Sequence, residues 1–308
     1  MLIVGPDDEF NRRLASLLGV NLVPIERRKF PDGEVCPRVL GKVQGEDVIL
    51  SLRMKAGAAD VNDYLVELLL TVRNLKEHMG AGSIWAVIPY FPYARQDEIF
   101  REGEPLSSKY VAELLEESGV EGVFSVTVHL HRRKSFNELF SRAEAINVDG
   151  MKSLARYLRE LSLENPFVLG PDTESIVWAR DLAGYLGTQD YDSFRKERDL
   201  ATGEIKTTAK ELDLKGRTVI IADDIVSTGG TMANAVREAK RMGAKLVISA
   251  FVHPVLAKGA FDRILGAGAD MIIGTDTLEW AGSKASVVQE LADSLKEVLK
   301  LGRNPWPA

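Results

Sequence analysis

Cysteine is almost absent from this chain: Cys36 is the single example in 308 residues. It cannot close an intrachain disulfide, so the fold must stand on packing alone, as expected of a protein of the reducing cytoplasm. No histidine lies near it in sequence, which argues for a small apolar residue rather than a nucleophile. Long apolar runs are missing too. None reaches the ~18 residues of a membrane span, and the opening MLIVGPDDEF lacks the basic region and apolar stretch of a secretory signal. The expectation is a chain with no membrane partner. Positive charge is not in excess either. Lys and Arg number 39 against 45 Asp and Glu, and the formal net charge of −6 speaks against general nucleic-acid binding. Anionic ligands would have to be met locally, by arginine, lysine, metal and backbone N–H groups.

What is present is an apolar content of 45% spread along a long chain, enough for two cores of roughly 150 residues each. Short apolar strands alternate with amphipathic helices throughout, which predicts a parallel α/β architecture. Strands are expected at 2–4, 48–50, 84–88 and 123–128, and helices at 11–18 and 64–78. Leu65, Leu68, Leu69, Val72 and Leu75 give the second helix one apolar face. A second cycle starts near Gly150. Its helices are expected at 151–161, 176–186 and 232–242 and around 261–265, and its strands at 167–169, 219–222, 246–253 and 271–273. There is no tandem repeat, yet both halves keep the same rhythm, so two doubly wound domains are expected, 1–148 and 149–308. A last helix, 284–301, could return to either.

The most informative stretch is 219–231, VIIADDIVSTGGT. An apolar strand runs into two carboxylates, then a small-residue turn, then a helix. Thr228, Gly229, Gly230 and Thr231 can turn several N–H groups toward one point, where the helix dipole also favours an anion, so the turn suits a phosphate. Asp223 and Asp224 sit one step away, where carboxylates can accept from sugar hydroxyls or hold Mg²⁺. A phosphorylated sugar satisfies both halves. The string closely resembles the phosphoribosyl-pyrophosphate binding motif of type I phosphoribosyltransferases and of ribose-phosphate pyrophosphokinases. That resemblance implies that the two aspartates contact the ribose 2- and 3-hydroxyls, that Thr228 to Thr231 hold the 5-phosphate, and that Ser227 also belongs to the ribose 5-phosphate site. Ser227 stands where many relatives carry a third Asp.

The N-terminal half chooses between those families. It contains Phe30-Pro31-Asp32-Gly33-Glu34 and, further on, Tyr93-Ala94-Arg95-Gln96-Asp97 behind Ile88-Pro89-Tyr90-Phe91-Pro92. In isolation the first is a turn shaped by Pro and Gly, and the second a core aromatic cluster followed by a solvated loop. With the later motif they resemble the two ATP-binding segments of ribose-phosphate pyrophosphokinases, and Asn62-Asp63 before the leucine-rich helix extends the likeness over nearly the whole chain. Phe30 offers a face for adenine, and Asp32 and Glu34 can accept from its amine or from ribose. Arg95 and Gln96 supply donors to phosphate and ribose.

The same resemblance implies a metal-binding role for His129, with His131 as a lesser candidate, and for Asp172 in the Gly-Pro-Asp turn, both serving Mg²⁺. Thr127 stands where many relatives have an Asp two before the histidine. The stretch 194–210 carries eight charges in seventeen residues with little periodicity and reads as an exposed mobile loop. Lys196 and Arg198 fall where relatives carry a catalytic Lys-x-Arg pair, with Glu197 between them. The resemblance therefore implies transfer of pyrophosphate from ATP to ribose 5-phosphate. It also implies a first domain for ATP and oligomerisation, a second for ribose 5-phosphate, and a homodimer or larger homo-oligomer with shared sites. A phosphoribosyltransferase and a non-catalytic regulatory homologue are the alternatives.

Overall fold

The structure, a computed structural model, describes residues 1–57, 61–130, 132–198, 205–208 and 212–301, with the backbone alone at 196–198, 205–208 and 299–301. The chain divides into two compact units. One comprises Met1–Met54, Ala59–Asp149 and Val287–Ala308; the other comprises Lys55–Ala58 and Gly150–Ser286.

The first unit is built from β1 (Leu2–Gly5), α1 (Glu9–Leu18), β2 (Asn21–Lys29), β3 (Val35–Val39), β4 (Val48–Ser51), α2 (Val61–Glu77), β5 (Ile84–Val87), α3 (Ser107–Ser118), β6 (Gly122–Val126) and β7 (Glu144–Val148). Its sheet order is β3-β2-β1-β4-β5-β6-β7, parallel except for the β2–β3 hairpin. The apolar runs are buried on both faces, as parallel strands under helices must be. β2 had no apolar signature because it changes partner midway. Asn21 to Pro24 lie parallel to β1, Ile25 to Lys29 lie antiparallel to the edge strand β3, and of the nine residues of β2 Ile25 alone is buried. Phe91 proves to be core. Its ring meets those of Phe136 and Phe140 at 5.0 and 6.0 Å, a geometry favoured by ring quadrupoles.

The second unit follows with α4 (Gly150–Glu160), β8 (Pro166–Gly170), α5 (Ile176–Leu186), β9 (Tyr191–Ser193), β10 (Arg195–Arg198), β11 (Ile205–Thr208), β12 (Thr218–Val226), α6 (Gly230–Arg241), β13 (Leu246–Pro254), α7 (Ala260–Gly266), β14 (Met271–Thr275) and β15 (Ser283–Ala285). Its main sheet has the order β15-β14-β13-β12-β8-β9, all parallel. The expected doubly wound α/β architecture is therefore present in both units.

Three local expectations fail. The strand expected at 219–222 runs on to Val226, because β13 continues to pair with it up to Val226 beside Pro254, and backbone pairing is indifferent to the two aspartates. The helix expected from 284 begins later. Residues 283–285 form β15 against β14, and α8 (Val288–Leu301) packs on α1, β6 and β7 of the first unit. Finally, 194–210 is not simply an exposed loop. Phe194 is fully buried, and β10 pairs antiparallel with β11, Lys196 beside Thr207 and Arg198 beside Ile205. Among the described residues no helix is long and apolar enough to cross a membrane.

Candidate functional site

Sheet order in the second unit reverses between β8 and β12. From β8 the chain moves outward to β9, then returns on the other side to β12 and β13. A switch of this kind leaves a crevice beyond the carboxyl ends of the two strands, where open α/β sheets bind ligands. Ile221 lies beside Leu169, so Asp223 and Asp224 emerge level with the 170–175 loop that follows β8. Asp172 belongs to that loop. Its carboxylate accepts from the Ser175 N–H at 3.2 Å, while its own N–H donates to Ser175 Oγ at 3.0 Å.

Asp224 is 3% exposed, and its N–H donates to Asp223 Oδ1 at 3.0 Å. Part of Asp223 reaches solvent, yet burial raises its carboxyl well above the ordinary carboxylate range, and Asp224 and Asp172 push it the same way. Three carboxylates thus bear on one point. Donors from sugar hydroxyls, or a hard cation, would relieve their repulsion.

The loop beyond β12 is fastened by its carbonyls. Val226 O accepts from Leu256 N–H at 2.9 Å, Ser227 O from Ala257 N–H at 3.0 Å, Gly229 O from Ala233 N–H at 2.9 Å, and Thr228 O from the Arg263 guanidinium. Among the described residues no hydrogen bond takes up the N–H groups of Ser227 to Thr231. These N–H groups stand at the start of α6, where the dipole favours a phosphate. Gly229 is required here. It has φ 74°, and a Cβ would stand 2.9 Å from Ala260 O. Arg263 and Ala260 were invisible to sequence reasoning because they reach the loop from α7, with no local pattern to mark them.

In the first unit, Phe30 to Glu34 form the tip of the β2–β3 hairpin. Phe30 N–H donates to Glu34 O at 2.8 Å, and Phe30, Asp32 and Glu34 are all exposed, Phe30 by 49%. A depression of about 450 Å³ lined by Lys29, Asp32, Gly33, Glu34, Val35, Asp63 and Val66 lies beside the tip. Arg95 and Gln96 are exposed in the loop after β5, and Asp97 is buried where Arg132 Nη1 donates to it at 3.0 Å. His129 is half-buried, three residues past β6, the strand next to β5. His131 lies outside the described residues, as do the side chains of Lys196 and Arg198. Among the described residues no group of three or more His, Cys, Asp or Glu is arranged to hold a metal.

Residues 2–119 match the family described as the N-terminal domain of ribose phosphate pyrophosphokinase, and residues 137–273 match the phosphoribosyl transferase domain. The ribose-phosphate pyrophosphokinase of Sulfolobus acidocaldarius is 36% identical over 291 residues, 94% of this chain and 97% of that one. The chain belongs to the ribose-phosphate pyrophosphokinase family. Another ribose-phosphate pyrophosphokinase, from Methanothermobacter thermautotrophicus, is 36% identical over 284 residues, 92% of this chain and 95% of its own. The crystal structure of phosphoribosylpyrophosphate synthetase from Mycobacterium smegmatis shares the fold, with a TM-score of 0.83 at 30% identity over 98% of this chain and 99% of that one. In these terms the hairpin tip and Arg95 fall within the pyrophosphokinase-specific half. The β8 and β12 loops fall within the phosphoribosyl transferase half, and His129 lies between the two matched spans.

Proposed function

We infer that this chain is a ribose-phosphate pyrophosphokinase that transfers the pyrophosphoryl group of ATP to the 1-hydroxyl of ribose 5-phosphate, giving 5-phosphoribosyl 1-pyrophosphate and AMP. The observation that carries this reading is the joining of two things in one chain. A pyrophosphokinase-specific N-terminal half precedes a second half whose switch point sets unused N–H groups beside paired carboxylates. A phosphoribosyltransferase would have no use for the first half.

In this reading Ser227 to Thr231 take the 5-phosphate on their N–H groups, and Asp223 and Asp224 accept from the 2- and 3-hydroxyls. The sugar is then fixed with its 1-hydroxyl outward. Phe30, Asp32 and Glu34 take the adenine and its ribose, and Arg95 and Gln96 the remaining donors' share of the nucleotide. The 1-hydroxyl attacks the β-phosphorus in line, its proton leaves to solvent or to a carboxylate, and AMP departs. Catalysis rests on positioning and charge neutralisation more than on covalent help. Lys196 and Arg198 are the cations proposed to meet the charge that builds up in the transition state. The oxygen-rich donor set around Asp172 suits Mg²⁺, and His129 is the proposed nitrogen ligand. Mg²⁺ would draw charge from the polyphosphate and weaken the bond to the leaving AMP.

Residues 1–148 are proposed as the ATP-binding and oligomerisation domain, and 149–308, without the last helix, as the ribose 5-phosphate domain. The enzyme is further proposed to be cytoplasmic and a homo-oligomer in which the hairpin of one chain completes its neighbour's site. Supplying ATP, ribose 5-phosphate and Mg²⁺ and following AMP tests the reaction. AMP released only when the sugar is present supports it, and no AMP refutes it. Refolding Phe30→Ala with Lys196→Ala tests site sharing. Recovery to about a quarter of wild-type activity supports it by the symmetry count for a two-fold dimer, and none in proven mixed dimers refutes it.

A further inference from the structure

Tyr93 has φ 61°. An aromatic residue in the left-handed region is an outlier, and such strain persists only where neighbours over-determine it. Two residues on stands Arg95. Beyond Arg95 the chain is pinned. Gln96 N–H donates back to Tyr93 O at 2.9 Å, Ser108 N–H at the start of α3 donates to Gln96 O at 3.3 Å, and buried Asp97 takes Arg132. The direction of Arg95 is therefore set by the conformation of Tyr93. What anchors Tyr93 is its hydroxyl, which donates to Asn62 Oδ1. Asn62 lies in the first turn of α2, next to Asp63, whose carboxylate takes Lys29 Nζ at 2.5 Å at the foot of the Phe30–Glu34 hairpin tip.

We propose that Asn62 is a positioning residue for nucleotide binding: it holds the Tyr93 hydroxyl and thereby keeps the left-handed turn that presents Arg95 and Gln96 outward. Asn62 touches no reacting group. Without its oxygen, Tyr93 relaxes toward the negative φ that L-residues prefer, and Arg95 spends most of its time misdirected. Nucleotide affinity then falls by the fraction of molecules left competent. The sugar site, built wholly in the second unit, is untouched. This rests on the assignment of Arg95 and Gln96 to ATP.

The test compares Asn62→Ala, Tyr93→Phe and the double variant. Tyr93→Phe removes one oxygen and keeps the ring, so a folding defect does not mask the result. Calorimetry with the α,β-methylene analogue of ATP gives the nucleotide Kd, and steady-state assays give KM for each substrate. Each single change should weaken analogue binding about tenfold and raise KM for ATP alike, with KM for ribose 5-phosphate and Tm unchanged. The double variant should be no worse than the poorer single. Asn62→Asp, which keeps an acceptor, should restore most of the affinity. Unchanged analogue binding in both singles, additive losses, or an equal rise of both KM values each overturns the proposal. Asn62-dependent analogue binding in a protein that makes no AMP would instead sink the pyrophosphokinase reading and leave this one standing.

Discussion

Gly-Pro-Asp occurs twice in this chain, at Gly5-Pro6-Asp7 and at Gly170-Pro171-Asp172, each time at the end of the strand where sheet order reverses. Both glycines are forced by close approach. A Cβ on Gly5 would stand 2.5 Å from Ser51 O, and one on Gly170 2.7 Å from Ser175 Oγ. The strands alongside match in register too. Val4 lies beside Leu50 in the first unit and Leu169 beside Ile221 in the second. Counting on three residues sets Arg53 of the first unit in the position of Asp224 in the second. Arg53 Nη2 pairs with Asp8 Oδ2 at 2.7 Å, and its guanidinium lies 4.3 Å from the centre of the Phe10 ring. The first crevice is thus filled by its own salt bridge. In the second, acid faces acid, and Asp224 and Asp172 raise the Asp223 carboxyl. One topology therefore sets a cation against the turn in one unit and a carboxylate against it in the other.

The largest effect expected concerns the cations proposed to act at the second crevice. Lys196→Ala should leave the protein folded and lower kcat by roughly 10²-fold or more. Near-normal kcat would remove the residue from the mechanism. Arg198→Ala should match it, with the double variant losing less than the sum of the two. Next, Asp224→Asn should weaken ribose 5-phosphate on the order of 10- to 100-fold through loss of a charged acceptor, with a much smaller effect on ATP. A collapse of ATP affinity instead would assign the crevice to the wrong substrate. Arg53→Met strikes the closed counterpart. It takes the cation from Asp8, whose Oδ1 still accepts from the Asn11 N–H, and should cost about 2 kcal/mol of stability by denaturant unfolding, below the range for fully buried pairs because Asp8 is partly solvated. KM for ribose 5-phosphate should not change, and a changed KM would mean that the first crevice is not merely structural.

The smallest effect is a matter of slope. Because the Asp223 carboxyl is raised in the fold, the folded state holds its proton after the unfolded chain has lost it. Ligand-free protein should therefore lose stability as pH climbs from the ordinary carboxylate value of 3.8 up to the raised one, and keep that deficit above. Asp223→Asn should abolish the loss, so the difference in Tm between variant and wild type should appear only above about pH 4. A difference as large at pH 3 would show that charge is not its cause.

Much of this was legible in order along the chain. The apolar strands of the two sheets announced themselves because parallel strands are covered on both faces, and the Asp223 to Thr231 string carries its chemistry in consecutive residues. Elements with partial cover left no such mark. β2, half parallel and half antiparallel, and β7, largely open along its length, escaped notice, and so did α3, whose buried face includes Ser107, Ser108 and Glu116 beside Val111, Ala112 and Leu115. The hairpin of β10 and β11 hid inside a charged stretch because backbone pairing needs no apolar face. In the site, Arg263 beneath Thr228 and Asn62 behind Tyr93 come from elements 31 or more positions away in sequence, and no spacing rule reaches so far.

Sequence by itself determined the strand-helix rhythm, the two-fold partition of the core and the identity of the groups that could meet phosphate and sugar. Each of these depends on neighbours along the chain: hydrophobic period, glycine turns, and a helix start behind a small-residue loop. Only the tertiary structure decided which of the two Gly-Pro-Asp turns faces a cation and which faces a carboxylate. That choice depends on the residue that the adjacent strand sets opposite the turn, Arg53 in one unit and Asp224 in the other, and strand adjacency is a product of sheet order rather than of sequence distance.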